Sequence, residues 1–320
     1  NDHTDCKIDI PAIGCSNARN MNSKPGKSRT TSHESRATIY ENISIIGDGG
    51  MGTVLAILLC EKRESSEKQR ATSHKVRMWG YDREQLAEIA RNRENKKFLP
   101  GYKLPEALVF EPDDRRIMDG AELIVSAVPC QYMRRVWSRL KDYVPQDVAI
   151  VSVTKGIEND TLLRPTQILA DVLGEESPLP RGQAGGRGTR FAVFSGPTIA
   201  DELARGLPAT ACVAASDESL AKEIQHTFSD IVPWLRVYTN TDVAGVELAA
   251  ACKNIIAIAA GIIDGIGAGD NAKAALLTRG LAEITRLGVA MGARGQTFAG
   301  LTGLGDLVTT CISPKGRNRS

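Results

Sequence analysis

The chain has 320 residues, long enough for two domains that each bury a core. Its 40 basic and 38 acidic residues leave a net charge of +2, a balance that excludes the strong basic field of a nucleic-acid or anionic-membrane binder. Seven scattered cysteines (Cys6, Cys15, Cys60, Cys130, Cys212, Cys252 and Cys311) include no C-x-x-C pair, which argues against zinc or a disulfide framework and for a reducing compartment.

Residues 1–38 are polar and poor in large apolar side chains. Such a segment cannot bury enough surface to offset its ordering entropy, so a flexible tail is expected. From Thr38 the texture changes. "TIYENISIIGDGG" predicts a strand and a turn, and "VRMWGYD" (76–82) a second strand. Further short apolar runs are "AELIVSAVP" (121–129), "VAIVSVTKG" (148–156), "RFAVFSGP" (190–197) and "ATACVAAS" (209–216). Helical periodicity fills 53–60, 83–93, 132–142, 163–173 and 219–228. Continuous apolar strands alternating with helices predict a parallel sheet covered on both faces. Two polar insertions, 61–75 and 176–190, interrupt the pattern as expected surface loops.

Beyond about Asn240 only helical patterns remain. Two long helices are expected, the first capped by Asn240, Thr241 or Asp242 and the second by Asn271, followed by a shorter helical turn around 304–311. The predicted organisation is a Rossmann-like α/β domain over 39–238 and an all-α domain over 239–320, the latter stopping at "GRNRS" without a closing element, as if truncated. The most apolar stretch, 246–266, holds Glu247, Lys253, Asn254 and Asp264, which argues for a buried helix rather than a membrane span.

The first turn reads G-x-G-x-x-G at Gly47, Gly49 and Gly52, with a strand before it and a helix after it. In that context Gly47 allows the tight turn, Gly49 lets backbone approach a pyrophosphate, and Gly52 lets the helix pack on the strand. The helix start then favours an anion. The position where an acid would grip a ribose 2′-hydroxyl falls on Trp79 or Gly80. Arg77 or Arg83 could instead meet a 2′-phosphate, which favours NADPH over NADH, the alternative being that both arginines are simply solvated.

Lys155 follows a buried strand at its carboxyl end, the edge where open α/β sheets bind ligands; a plain turn residue is the alternative. Lys253 sits in "LAAACKNIIAIAAG" among small and apolar residues. Desolvation there would lower its pKa and suit it to proton transfer, unless its stem reaches solvent. Asp306 and Thr310 are spaced i, i+4 on one face of a helical turn, so Asp306 could hold Lys253 while Thr310 meets a substrate; a cap and its neighbour is the alternative. Arg317 beside Asn318 would suit a phosphate; a solvated charged segment is the alternative.

The segments "GDGGMGTVLA", "FLPG", "AVP", "TKGIE", "SGPTIADEL", "CKNIIAIAAGIIDGIGAGDNAKAALLTRGLAEI" and "GLTGLGDLVTTC…GRN" together resemble the NAD(P)-dependent glycerol-3-phosphate dehydrogenases of bacterial type, from about residue 40 to the end. The resemblance implies an NAD(P)H-dependent reduction of dihydroxyacetone phosphate to sn-glycerol 3-phosphate, feeding glycerophospholipid synthesis in the cytoplasm. It implies a homodimer acting on a small phosphorylated molecule, with no nucleic acid, membrane insertion or metal. By the same resemblance Lys253 is the proton donor and acceptor, and Lys155 touches both cofactor and substrate. Asp306, Thr310 and Asn254 form the surrounding polar site, and Arg317 and Asn318 the phosphate- and cofactor-contacting pair. Gly196, Thr198 and Ala200 line the cleft, and Gly50, Met51 and Tyr81 contact the cofactor. The chain departs from the family pattern at Asp48 (usually Ala), at Gly50-Met51 (usually Ser then an aromatic), and at Cys130 and Gly316 (each usually Ser). The rival readings are a two-domain dehydrogenase of hydroxy acids or ketopantoate-like substrates, and a protein that binds NAD(P)H without chemistry.

Overall fold

Strands that are apolar on both sides can be stable only where both faces of their sheet are covered. The computed structural model describes residues 40–61, 74–174, 190–230 and 232–313. In chain order these hold β1 (Asn42–Ile46), α1 (Gly50–Leu59), β2 (Lys75–Trp79), α2 (Arg83–Asn92), β3 (Glu94–Asn95), β4 (Leu99–Lys103), β5 (Val109–Phe110), α3 (Asp114–Met118), β6 (Leu123–Ser126), α4 (Cys130–Leu140), β7 (Ala149–Ser152), α5 (Pro165–Leu173), β8 (Arg190–Ser195), α6 (Ala200–Ala204), β9 (Ala209–Ala215), α7 (Glu218–Ser229) and β10 (Leu235–Asn240). Then come α8 (Val243–Gly265), α9 (Asp270–Ala290), α10 (Gly295–Phe298) and, after a π-turn at Leu301–Gly305, α11 (Asp306–Ile312). The predicted tail at 1–38, most of the two insertions, and Arg317 and Asn318 lie outside the described residues.

The main sheet has eight described strands in the order β10-β9-β8-β7-β6-β1-β2-β5. Alternation within each strand divides the core between the two faces. Ile43 and Ile45 of β1 join Ala149 and Val151 of β7 in one apolar cluster, with α1 and α7 against it. Ile46 and Ile150 point the other way, into a cluster with Met133 and Trp137 of α4 and Ile168 and Leu169 of α5.

The expectation of a parallel sheet needs one correction. β8 and β9 pair antiparallel, with Ala192 opposite Ala215 and Ser195 opposite Cys212, while β9 and β10 run parallel to each other. Between β8 and β9 the chain has only the five-residue α6. A helix that short spans about 7 Å and cannot return the chain along a six-residue strand of about 20 Å. The sequence reading also gives no strand at β10, whose buried and exposed residues alternate with Arg236 and Tyr238 outward.

β1 lies between β2 and β6, so chain direction across the sheet switches there. Open α/β sheets bind ligands at the carboxyl edge of such a point. The G-x-G turn sits on it: Gly47 N donates to Trp79 O (2.9 Å) on one side, and Ala127 N donates to Ile46 O (2.8 Å) on the other.

The helical part begins at Asp242, which caps α8 by accepting from Gly245 N (2.9 Å) and also accepts from Arg294 N and Thr297 Oγ1. α9 starts at Asp270 with Gly269 as its N-cap, so Asn271 is not the cap. α8 packs against the sheet through Val243 and Val246, which meet Val193, Cys212 and Ala214. Its far half packs against α9 and α11 through Ile256, Ala257, Ala260, Leu307 and Cys311. By length and composition α8 could cross a membrane, yet 56% of its most apolar window is buried inside the protein. Its Glu247 side chain is fully buried and accepts from Thr166 N (2.7 Å), Thr166 Oγ1 (2.8 Å) and the Arg164 guanidinium at the start of α5.

Candidate functional site

The three glycines of the first turn meet three different demands. Gly47 has φ +118°, and a Cβ there would lie 2.7 Å from Ala127 O. A Cβ on Gly52 would lie 2.1 Å from Gly47 O, so the helix cannot sit this close to the turn with any side chain at that position. At Gly49 no described atom lies within 4 Å of a Cβ, which leaves open space over the start of α1. Gly49 is the N-cap of that helix, and among the described residues no side chain caps it. Backbone N–H groups at such an end suit a phosphate. These features fit a dinucleotide pyrophosphate. Of the other cofactor positions, Gly50 packs under Phe98 O and Met51 is half-buried against the core. Tyr81 is exposed, with the Arg135 and Arg139 guanidiniums 5.3 and 5.7 Å from its ring centre.

The end of β2 differs from the sequence expectation. Arg77 is not available to a 2′-phosphate: its guanidinium donates to Arg116 O (2.7 Å) and Asp119 O (2.5 Å). Trp79 is buried and donates to Asp114 Oδ1 (3.0 Å). The Asp48 carboxyl folds over Gly80 and accepts from Gln85 Nε2 (2.6 Å). Burial pushes its pKa above the ordinary carboxylate value, against that hydrogen bond.

Two strands along the sheet from β1, with β6 between them, β7 ends and Lys155 follows. At about 4.8 Å per strand, the Lys155 strand lies roughly 10 Å from the glycine turn, along the same edge. Lys155 Nζ donates to Gly196 O (3.0 Å) and to Asp306 Oδ2 (2.7 Å). Lys253 Nζ, from α8, donates to Asp306 Oδ1 (2.5 Å) and to Thr310 Oγ1 (2.7 Å). Thr310 Oγ1 in turn donates to Asp306 O (2.6 Å). One carboxylate thus holds two ammonium groups, and the cluster carries one net positive charge. Lys253 is 6% exposed and Asp306 2%, so this charge sits in a poorly hydrated place. Burial, then the charge of Lys155, pull the Lys253 pKa down to about 8, with Asp306 acting the other way.

Gly196, at the end of β8 with φ +143°, offers its carbonyl to Lys155 and to Thr198 Oγ1 (3.2 Å). A Cβ there would lie 3.1 Å from both Ala211 Cα and Thr210 O. Thr198 is buried, Ala200 opens α6, and Asn254 is half-buried beside Lys253 on α8. The structure therefore brings Lys155, Gly196, Thr198, Lys253, Asp306 and Thr310 together. Sequence reasoning did not find the Arg164–Glu247–Thr166 cluster or the reach of Asp48 to β2. A glutamate inside an apolar helix was a signal for the first, and the paired oddities of Asp48 and Gly80 for the second.

The model of the NAD-dependent glycerol-3-phosphate dehydrogenase N-terminus matches residues 42–221, and that of the C-terminus matches residues 242–320. A Citrifermentans bemidjiense protein named as a glycerol-3-phosphate dehydrogenase using NAD(P)+ is 46% identical over 280 residues, covering 88% of this chain and 77% of its own length. A protein of the same name from Geobacillus kaustophilus is 43% identical over 278 residues, covering 87% of this chain and 74% of its own length. Among solved structures, the Coxiella burnetii glycerol-3-phosphate dehydrogenase superposes with a TM-score of 0.76 at 35% identity, covering 88% of this chain and 78% of that one.

Proposed function

The chain belongs to the NAD-dependent glycerol-3-phosphate dehydrogenase family, and on that premise we propose that it interconverts dihydroxyacetone phosphate and sn-glycerol 3-phosphate with NAD(P)H. The observation that carries the reading is the pair of lysines, one from the sheet edge and one from α8, on the single buried carboxylate of Asp306. The bound nicotinamide supplies or receives the hydride, and the protein aligns it. Lys253 protonates the ketone oxygen as that oxygen gains charge, and takes the proton back in the reverse direction. Lys155 stabilises the developing negative charge. Asp306 keeps both ammonium groups aimed at one place, so no reorganisation is needed during the reaction.

Thr310 and Asn254 complete the polar wall, with Gly196, Thr198 and Ala200 along the sheet side. Arg317 and Asn318 hold the substrate phosphate, so that binding energy far from the ketone positions it. The enzyme is a cytoplasmic homodimer, and its product enters glycerophospholipid synthesis. The test is oxidation of NADH and of NADPH by the full chain with dihydroxyacetone phosphate, against dihydroxyacetone and a 2-keto acid as unphosphorylated controls. Turnover confined to the phosphorylated ketone is expected. Equal turnover of the controls would refute the substrate assignment, and cofactor binding with no turnover of any ketone would refute the activity.

A further inference from the structure

In the usual dinucleotide turn the acid stands at the end of the second strand and grips the adenosine ribose. Here the two residue types have changed places. Gly80 stands at the end of β2, and the acid, Asp48, stands inside the glycine turn. The exchange is steric as well as chemical: a Cβ on Gly80 would lie 2.9 Å from both Cγ and Oδ2 of Asp48, so the carboxyl occupies the room a β2-end side chain would need. Its backbone is fixed from behind, because the wholly buried Asn95 donates its Nδ2 to Asp48 O (2.7 Å) and to Thr53 Oγ1 (2.7 Å). Its side chain is oriented by Gln85 Nε2, and Gln85 Oε1 accepts from Lys97 Nζ (3.0 Å). Asp48 as a whole is half-buried.

The geometry points to Asp48 as the residue that selects the dinucleotide: its carboxylate accepts from the adenosine ribose hydroxyls and repels a 2′-phosphate, so the chain takes NADH in preference to NADPH. This rests on the dehydrogenase reading above, since it concerns the same cofactor. Several of the described cations near this end of the sheet already have partners. Arg77 is bound to two backbone carbonyls on the α3 side. Arg139 is paired with Asp114 (2.6 Å). Lys97 is engaged by Gln85. Among the described residues, Arg83 is exposed at the first position of α2 and Arg135 lies over the Tyr81 ring.

The test is fluorescence titration of the full chain with NADH and with NADPH, without substrate, for the wild type, Asp48→Asn, Asp48→Ala and Arg83→Ala. Wild type is expected to bind NADH at least about tenfold more tightly than NADPH, the scale of one hydrogen bond to a charged group. Asp48→Asn and Asp48→Ala should bring the two affinities together, mostly by weakening NADH in the alanine variant, while Arg83→Ala leaves the NADH affinity unchanged. NADPH bound as tightly as NADH by wild type overturns the inference even if the variants do not fold. So does an Asp48→Asn protein, folded by its melting transition, with the wild-type ratio. Binding of neither dinucleotide by wild type overturns the dehydrogenase reading itself.

Discussion

Lys253 Nζ and Asp306 Oδ1 lie 2.5 Å apart although their residues are 53 positions distant in sequence, and the other oxygen of the same carboxylate is held by Lys155 at 2.7 Å. The pair sets the protonation of the site. With its pKa near 8, Lys253 carries its proton below that value and has lost it above. Under the role proposed for Lys253, ketone reduction needs the protonated form, so its kcat/KM should fall as pH rises through about 8, while alcohol oxidation should rise through the same range. Initial-rate pH profiles in both directions check this. Two profiles that move in the same direction would remove Lys253 from the proton-transfer role.

Replacing Lys253 by alanine should lower kcat by about 10²–10⁴-fold, the usual contribution of a positioned acid–base group, while dinucleotide binding by fluorescence stays near wild type. Turnover within a few-fold of wild type would show that the proton comes from elsewhere.

The substitution Asp306→Asn takes away the carboxylate that opposes burial and the charge of Lys155. The Lys253 pKa should then drop further below 8, and the fall in reduction rate should begin at lower pH. The check is a comparison of the two pH profiles. An unmoved profile with reduced kcat would mean that Asp306 only shapes the pocket.

At Gly52 even one methyl group would meet Gly47 O at 2.1 Å. Gly52→Ala should therefore push α1 off the turn, costing about 1–3 kcal/mol in urea unfolding, the range seen when a packed site is overfilled. It should also abolish NADH binding by titration. Retained binding at wild-type affinity would mean that the phosphates do not rest on this turn.

The Arg164–Glu247 pair is buried at both ends, with side-chain exposures of 7% and 0%. Arg164→Met leaves the Glu247 carboxylate without its charge partner and should cost about 3–5 kcal/mol in denaturant unfolding. The double variant Arg164→Met/Glu247→Leu should recover part of that loss, because no buried charge is stranded in it. Additive losses would show that the two residues act independently.

Much of this was legible in the sequence because it follows from local rules. The glycine turn, the strand before it and the helix after it are fixed by short-range sterics. Lys253 stood out because an ammonium among alanines is expensive unless something holds it. The reversal of β9 was not legible, because strand direction depends on how far a connection reaches, and "GPTIADELARGLP" looks like any other helical crossover. Nor was β10, whose outward Arg236 and Tyr238 mask the alternation of Leu235 and Val237. The position of Asp48 was hidden for a different reason. Sequence spacing places an acid relative to the backbone, and only the folded turn shows that its side chain crosses to the neighbouring strand.

The reversal of β9 and β10 also decides what kind of part α8 is. Because β10 runs against β8, it carries the chain away from the edge where Lys155 stands, and the next helix has to travel back. From Val243 to Lys253 it rises about 15 Å at 1.5 Å per residue, with its first turns anchored on Val193 and Cys212. α8 is thus a gauge block whose length and twist deliver one amine to a fixed point. Inserting a single residue ahead of Cys252 would swing that amine about 100° around the helix axis, out of reach of Asp306, while leaving every side chain of the cluster in place in the sequence.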